Sequence, residues 1–223
     1  MNRRIQHVVL LLIVSASCAT AQSYEESLAR MQERTRALRT YTCRFTSFSR
    51  GPEKTDQATF SYYFKKPNWV RMEALSGKNE GSILLYSGKD VRVKPGHGIL
   101  SWFSYSFAPT HKYVCDARGN GVLQSSWGYY INEHLEMKHL TRSAFQSVET
   151  LDGRKALHFL LTSDDPQKTK SIAREDLWID AREFLLIQYK QYDTTGTMIQ
   201  SGFYQDCVID SELNDRLFTE FSK

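Results

Sequence analysis

The chain has 223 residues, with 29 lysines and arginines against 25 aspartates and glutamates, and it is 41% hydrophobic and 13% aromatic. This near balance of charge excludes the strong basic surplus or basic stripe of a nucleic-acid binder, because the Lys65-Lys66 pair is too short to make one. The length suits a mostly β chain with a sizeable core.

At the N-terminus, Arg3 and Arg4 precede an uncharged apolar run from Val8 to Val14, and Ala19-Thr20-Ala21 supplies the small-x-small pattern of a cleavage site. The run is far shorter than the roughly 20 residues a bilayer span needs. Residues 1–21 therefore read as a removable signal peptide, and 22–223 as one exported, periplasmic domain. A competing reading makes Cys18 of Ser15-Ala16-Ser17-Cys18 a lipidated, membrane-anchored terminus, although Leu normally stands where this chain has Ser15. Cleavage removes two arginines and no acid, leaving 27 basic residues against 25 acidic. Cys43, Cys115 and Cys207 remain, an odd set in an oxidising compartment, so at most one disulfide forms among them and the spacing leaves the pair open.

Ser23 and Glu26 make a capping box, and Tyr24, Leu28, Met31 and Leu38 then fall on one face, predicting an amphipathic helix of about four turns. The charges between them, including Glu25, Arg30, Glu33 and Arg36, suit a helix docked on a protein core better than one lying on a membrane. From Thr40 the period changes to two. Strands are expected at 41–49, 57–65, 69–75, 82–87, 90–94, 145–151, 155–162, 174–180, 184–192 and 197–209. The turns between them, such as Arg50-Gly51-Pro52, Asp152-Gly153 and Asp193-Thr194-Thr195-Gly196, are too short for parallel crossovers, so the pairing is antiparallel. A sheet of this many strands curls or closes. Residues 96–142 interrupt the rhythm and read as an insertion with one or two short helices, the clearest at 129–140.

The strands are rich in aromatic and large apolar residues, notably Phe60, Tyr62, Phe64, Trp69, Met72, Leu84, Tyr86, Trp178, Ile187, Tyr189 and Phe203. They either fill a sheet core or line an interior apolar cavity for an acyl chain. Lys65, Lys66 and Arg71 are either solvated strand ends or contacts for a lipid phosphate or a partner's acid. Catalytic motifs are not found: there is no Gly-x-Ser-x-Gly elbow, no phosphate-cradling loop and no His-Glu-x-x-His. No Cys or His spacing suggests a metal, and no cofactor is implied. Glu133, His134, Glu136 and His139 form the one polar cluster worth testing, with the two histidines five apart and diverging on a helix.

The order of parts resembles the periplasmic outer-membrane lipoprotein-sorting carriers of the LolA/LolB type and their LolA-like relatives. The resemblance covers most of the mature chain. It runs from the N-terminal helix through Tyr41-Thr42-Cys43-Arg44-Phe45 and Phe64-Lys65-Lys66-Pro67-Asn68-Trp69-Val70-Arg71-Met72-Glu73. It continues through Ile83 to Asp90 with the Ser87-Gly88-Lys89 turn, then Asp176-Leu177-Trp178-Ile179-Asp180, Leu186 to Tyr192 and the Gly196 turn. It implies a mainly β fold: a curved, half-open antiparallel barrel with the N-terminal helix (Leu28, Met31) and the 96–142 insertion as lid elements. Sorting carriers have Arg before the Pro, where it helps latch the lid. Lys66 here offers a point charge instead of a planar fork, which marks a divergent relative with a different or unknown cargo.

The expectation is a non-catalytic envelope carrier or binding protein for lipid or lipoprotein acyl chains. Its partners would be a lipid or acylated lipoprotein, with peripheral membrane contact. An alternative is a regulatory module that senses lipid and contacts an envelope protein. A third, an envelope hydrolase, would rest on the His134 cluster.

Overall fold

The computed structural model describes residues 23–221, so the expected signal peptide and the alternative lipidation site at Cys18 lie outside the described residues. The first helix, α1 (Tyr24–Ala37), starts where the capping box predicts: the Ser23 side chain accepts a 3.0 Å hydrogen bond from the Glu26 amide. Acidic residues occupy its first turn and basic ones its last, complementing the helix dipole. Tyr24, Leu28 and Met31 are buried on one face.

Then come β1 (Thr40–Arg50), β2 (Thr55–Lys65), β3 (Trp69–Ser76), β4 (Ile83–Tyr86), β5 (Val91–Lys94) and β6 (Tyr105–Phe107). A second helix, α2 (Trp127–Met137), precedes β7 (Thr141–Leu151), β8 (Arg154–Ser163), β9 (Arg174–Asp180), β10 (Leu186–Tyr192) and β11 (Met198–Ile209), and a one-turn helix, α3 (Arg216–Thr219), follows. All 11 strands form one antiparallel sheet in the order β6-β5-β4-β3-β2-β1-β11-β10-β9-β8-β7. The first and last strands pair at its centre, Tyr41 opposite Ile209 and Phe45 opposite Tyr204. β6 and β7 are left as unjoined edges, so the sheet curls without closing and is a half-open barrel. The β6–β7 connection runs from one edge to the other, and α2 within it packs inside the curl.

The expected strands are present with ends shifted by a few residues, and α2 begins two residues earlier than predicted. β6 and α3 were not foreseen. Side chains of the inner face, including Tyr41, Phe45, Tyr62, Phe64, Val70, Phe159, Leu177 and Tyr204, join α1 and α2 in one core. Cys43 and Cys207 are neighbours there, close enough for each thiol to shift the other's pKa, while Cys115 belongs to the insertion.

The outer face holds a smaller cluster of Ala156, Trp178 and Ile187, with Phe203 packed against it. Near the other edge, α3 covers Trp69 and the fully buried Arg71. The Arg71 guanidinium donates to the carbonyls of Leu217 (2.9 Å) and Glu220 (2.8 Å) and to the Glu73 carboxylate (2.6 Å). Lys65 donates to the Leu213 carbonyl and pairs with Asp215. Neither Lys65 nor Arg71 is therefore a solvated strand end; both fasten the C-terminal segment to the sheet.

Candidate functional site

Much of the barrel interior is occupied by its own aromatics. Trp127, at the start of α2, is fully buried and stacks on Tyr41 with ring centroids 4.0 Å apart. Tyr41 also stacks on Phe64 at 4.9 Å, and Phe45 on Tyr204 at 4.6 Å. The phenol ends are hydrogen-bonded locally: Tyr204 donates to the Ser125 carbonyl at 2.8 Å, and the Tyr41 hydroxyl accepts from the Trp127 amide; the buried Trp127 indole N–H has no partner among the described residues. Burial pushes the phenols of Tyr41, Tyr62 and Tyr204 above the ordinary range.

A second group of polar side chains is sealed between α2 and the sheet. Glu175 of β9 accepts hydrogen bonds from Tyr130 (2.5 Å) and from Gln191 (3.1 Å), and its other oxygen lies 3.4 Å from His134 Nε2. His134 Nδ1 lies 2.8 Å from the Tyr24 hydroxyl. Burial, followed by the Glu175 charge, raises the pKa values of Tyr24 and Tyr130. The adjoining pocket is only about 20 Å³, about the space of one water molecule. The network ties α1 and α2 to β9 and β10 and leaves no room for a substrate.

Space opens on the opposite side of α2. A cleft of about 450 Å³ lies between α1, α2 and the β2–β3 turn, within the usual size range of ligand pockets. Leu38, Tyr41, Phe64, Leu123 and Ile131 provide its apolar wall, while Gln32, Asn68 and Asn132 provide uncharged polar groups. Its charged lining residues are Arg36 and Lys66, and among the described residues that line it there is no carboxylate. The Lys66 ammonium donates to the Arg36 carbonyl at the end of α1, so it joins the β2–β3 turn to the helix.

The expected cavity residues thus separate. Phe60, Tyr62, Phe64, Met72, Leu84, Tyr86 and Tyr189 belong to the inner core, and Phe64 also reaches the cleft. Trp69, Trp178, Ile187 and Phe203 lie on the outer face: Trp69 packs on Phe218, and Trp178 stacks on His158 at 4.4 Å. Both faces of these strands are apolar, so alternation alone does not say which face looks inward. Of the lid residues, Leu28 and Met31 are buried in the core, and Lys66 stands at the cleft. The polar cluster on α2 disperses: His134 turns inward to Glu175, Glu133 pairs with Lys170, and Glu136 and His139 are exposed. Among the described residues no group of His, Cys, Asp or Glu is arranged to hold a metal ion.

No family model and no curated protein sequence matches the chain. Solved structures do. An uncharacterized conserved protein from Thermus thermophilus matches at 12% identity over 91% of this chain and 96% of that one, with a TM-score of 0.54. The Mycobacterium tuberculosis lipoprotein LppX matches at 10% identity over 86% and 99%, with a TM-score of 0.51. A LolA superfamily protein from Nitrosomonas europaea matches at 11% identity over 90% and 99%, with a TM-score of 0.40. At these identities the likeness concerns the fold alone.

Proposed function

Starting from the fold it shares with the lipoprotein LppX, we propose that this protein is an exported, non-catalytic carrier or binding protein that holds an acyl chain, of a lipid or a lipoprotein, in the cleft beside α2. The observation that carries this reading is the pairing of an apolar wall with a cationic, carboxylate-free lining. Each methylene moved from water to the wall contributes about 0.8 kcal/mol, so few polar contacts are needed. Arg36 and Lys66 receive the anionic end, a carboxylate or a phosphate. A bulkier cargo requires α2 to swing outward, because Trp127 fills the interior beneath it.

The first test is native mass spectrometry of the protein isolated from the cell envelope, followed by organic extraction. A co-purifying lipid or acylated peptide is expected; a bare protein that also refuses added fatty acid overturns the reading. The location is tested by Asn132→Trp, an exposed rim position where a large side chain blocks the cleft without disturbing the core. Affinity for a fluorescent fatty acid should fall at least tenfold. Lys66→Glu should weaken binding of the acid several-fold and leave its methyl ester little affected. Undiminished capture by Asn132→Trp would sink the cleft assignment.

A further inference from the structure

The segment between β5 and β6 exposes apolar side chains that no core covers. Ile99 is 82% exposed, Leu100 60%, Trp102 86% and Phe103 60%, all in or beside one 3-10 turn. Soluble monomers rarely carry such a contiguous patch without a use for it. The nearby charge is mainly basic: between Asp90 and Asp116 the chain has Arg92, Lys94, His97, His111 and Lys112 and no acid, while the β3–β4 turn on which Gly96 packs adds one charge of each sign, Lys78 and Glu80. Arg92 is engaged by the Thr219 carbonyl and the Phe221 ring, and Lys112 by the Tyr113 ring at the Phe107 end of β6, while Lys94 at the root of the tongue enters no ion pair among the described residues.

We propose that this tongue, residues 96–104, is a docking element for an anionic lipid bilayer. Trp102 and Phe103 would sit at the headgroup level with Ile99 and Leu100 below them, and Lys94 at the root of the tongue would face anionic headgroups. Tryptophan at a bilayer interface keeps its ring in the apolar zone and its N–H in the wet one. Aliphatic tips supply the apolar area, and nearby cations add attraction to acidic lipid. Among the described residues no helix is long and apolar enough to cross a membrane. The basic excess around the tongue is what favours an anionic bilayer over a second copy of this chain, whose own tongue would present the same excess.

The tongue also lies away from the cleft. The β4–β5 turn is beside the β2–β3 turn, Gly88 being 3.8 Å from Asn68 in Cβ terms. The tongue leaves the other end of β5, where Gly96 packs on Gly81 of the β3–β4 turn. Docking and acyl capture are therefore separable in experiment.

The test is sedimentation of the protein, purified from cells expressing the whole chain, with vesicles of phosphatidylcholine alone or mixed with phosphatidylglycerol. Binding to the anionic vesicles is expected, with a blue shift of the tryptophan emission from Trp102, since Trp127 is fully buried, Trp178 nearly so, and Trp69 is half-buried against Phe218. Replacing Ile99, Leu100, Trp102 and Phe103 together by Ser should weaken binding at least tenfold; these exposed changes leave the core intact, which circular dichroism checks. Lys94→Gln should weaken it and flatten its salt dependence. Vesicle binding unchanged in the fourfold Ser variant overturns the proposal, as does a dimer that the variant abolishes. Equal binding to neutral vesicles overturns the anionic preference. Asn132→Trp should bind vesicles normally, so failure of the cleft reading and failure of this one are distinguishable.

Discussion

The two flanks of α2 are built on opposite principles. On one, Tyr130 and His134 meet the buried carboxylate of Glu175, with Tyr24 and Gln191 completing the set. On the other, Gly128, Ile131 and Asn132 border a cleft of about 450 Å³. A buried carboxylate is tolerated only where its partners are correctly placed, so the first flank fixes where the helix sits. The second is left short of partners. The difference teaches that the open space beside α2 is held open by a polar clamp on its far side rather than by slack packing.

The largest expected effect comes from alkali, which strikes the closed flank and the filled core together. Tyr24, Tyr41, Tyr62, Tyr130, Tyr189 and Tyr204 all have pKa values raised by burial. Above about pH 10 the unfolded chain gives up these phenolic protons while the folded chain keeps them. The unfolded state then binds fewer protons, and stability falls by about 1.4 kcal/mol per pH unit for each such tyrosine. The contribution is intact below pH 10 and lost as pH climbs toward the raised values. Urea midpoints should agree at pH 7 and 9 and collapse by pH 11, with the phenolate absorbance of exposed tyrosines such as Tyr113 rising first and that of the six buried ones only as the fold is lost. Equal midpoints at pH 9 and 11 would break the picture of a sealed aromatic interior.

A smaller effect tests the clamp alone. Glu175→Ala strands Tyr130, His134 and Gln191, and removing one member of such a buried set costs about 3–5 kcal/mol. Glu175→Gln keeps the volume and some of the hydrogen bonds and should cost less. Hydrogen exchange should quicken along α2 in the Ala variant more than in β1 or β2. If exchange rises evenly across the sheet, the network is general packing rather than a clamp.

These contrasts explain what a reading of the residues alone reaches. Strands β1 to β3 and β8 to β11 announce themselves by period two and by the turns between them, and α1 by Ser23 and Glu26. The short α3 has too few residues for a periodic signal, and it is held by Arg71, 146 positions earlier than Leu217. Glu175 sits in Arg174-Glu175-Asp176, where nothing local marks the middle charge as buried. His134 attracts notice on α2, but its partner lies on another strand. The cleft is assembled from α1, β1, the β2–β3 turn and the insertion, so it depends on topology that spacing does not carry. Even so, Lys66 drew attention beside Pro67 by its departure from the sorting carriers, and it is a lining residue of that cleft.

The smallest effect is the most discriminating, because it has opposite signs in the two states. Gly128 lies on α2 where the helix faces α1, and a Cβ there would rest 3.7 Å from Thr35 Cγ2, an ordinary contact. Gly128→Ala should therefore stabilise the protein by about 0.5–1 kcal/mol, through the glycine's lost backbone freedom. The same methyl narrows the cleft by roughly one carbon. A ligand that loses one methylene of burial loses about 0.8 kcal/mol, which is about fourfold in affinity. Higher stability with about fourfold weaker fatty-acid binding is the expected pair. Higher stability with unchanged binding would move the ligand off this side of α2, and weaker binding with lower stability would mean that α1 and α2 already touch too closely to leave a cleft at all.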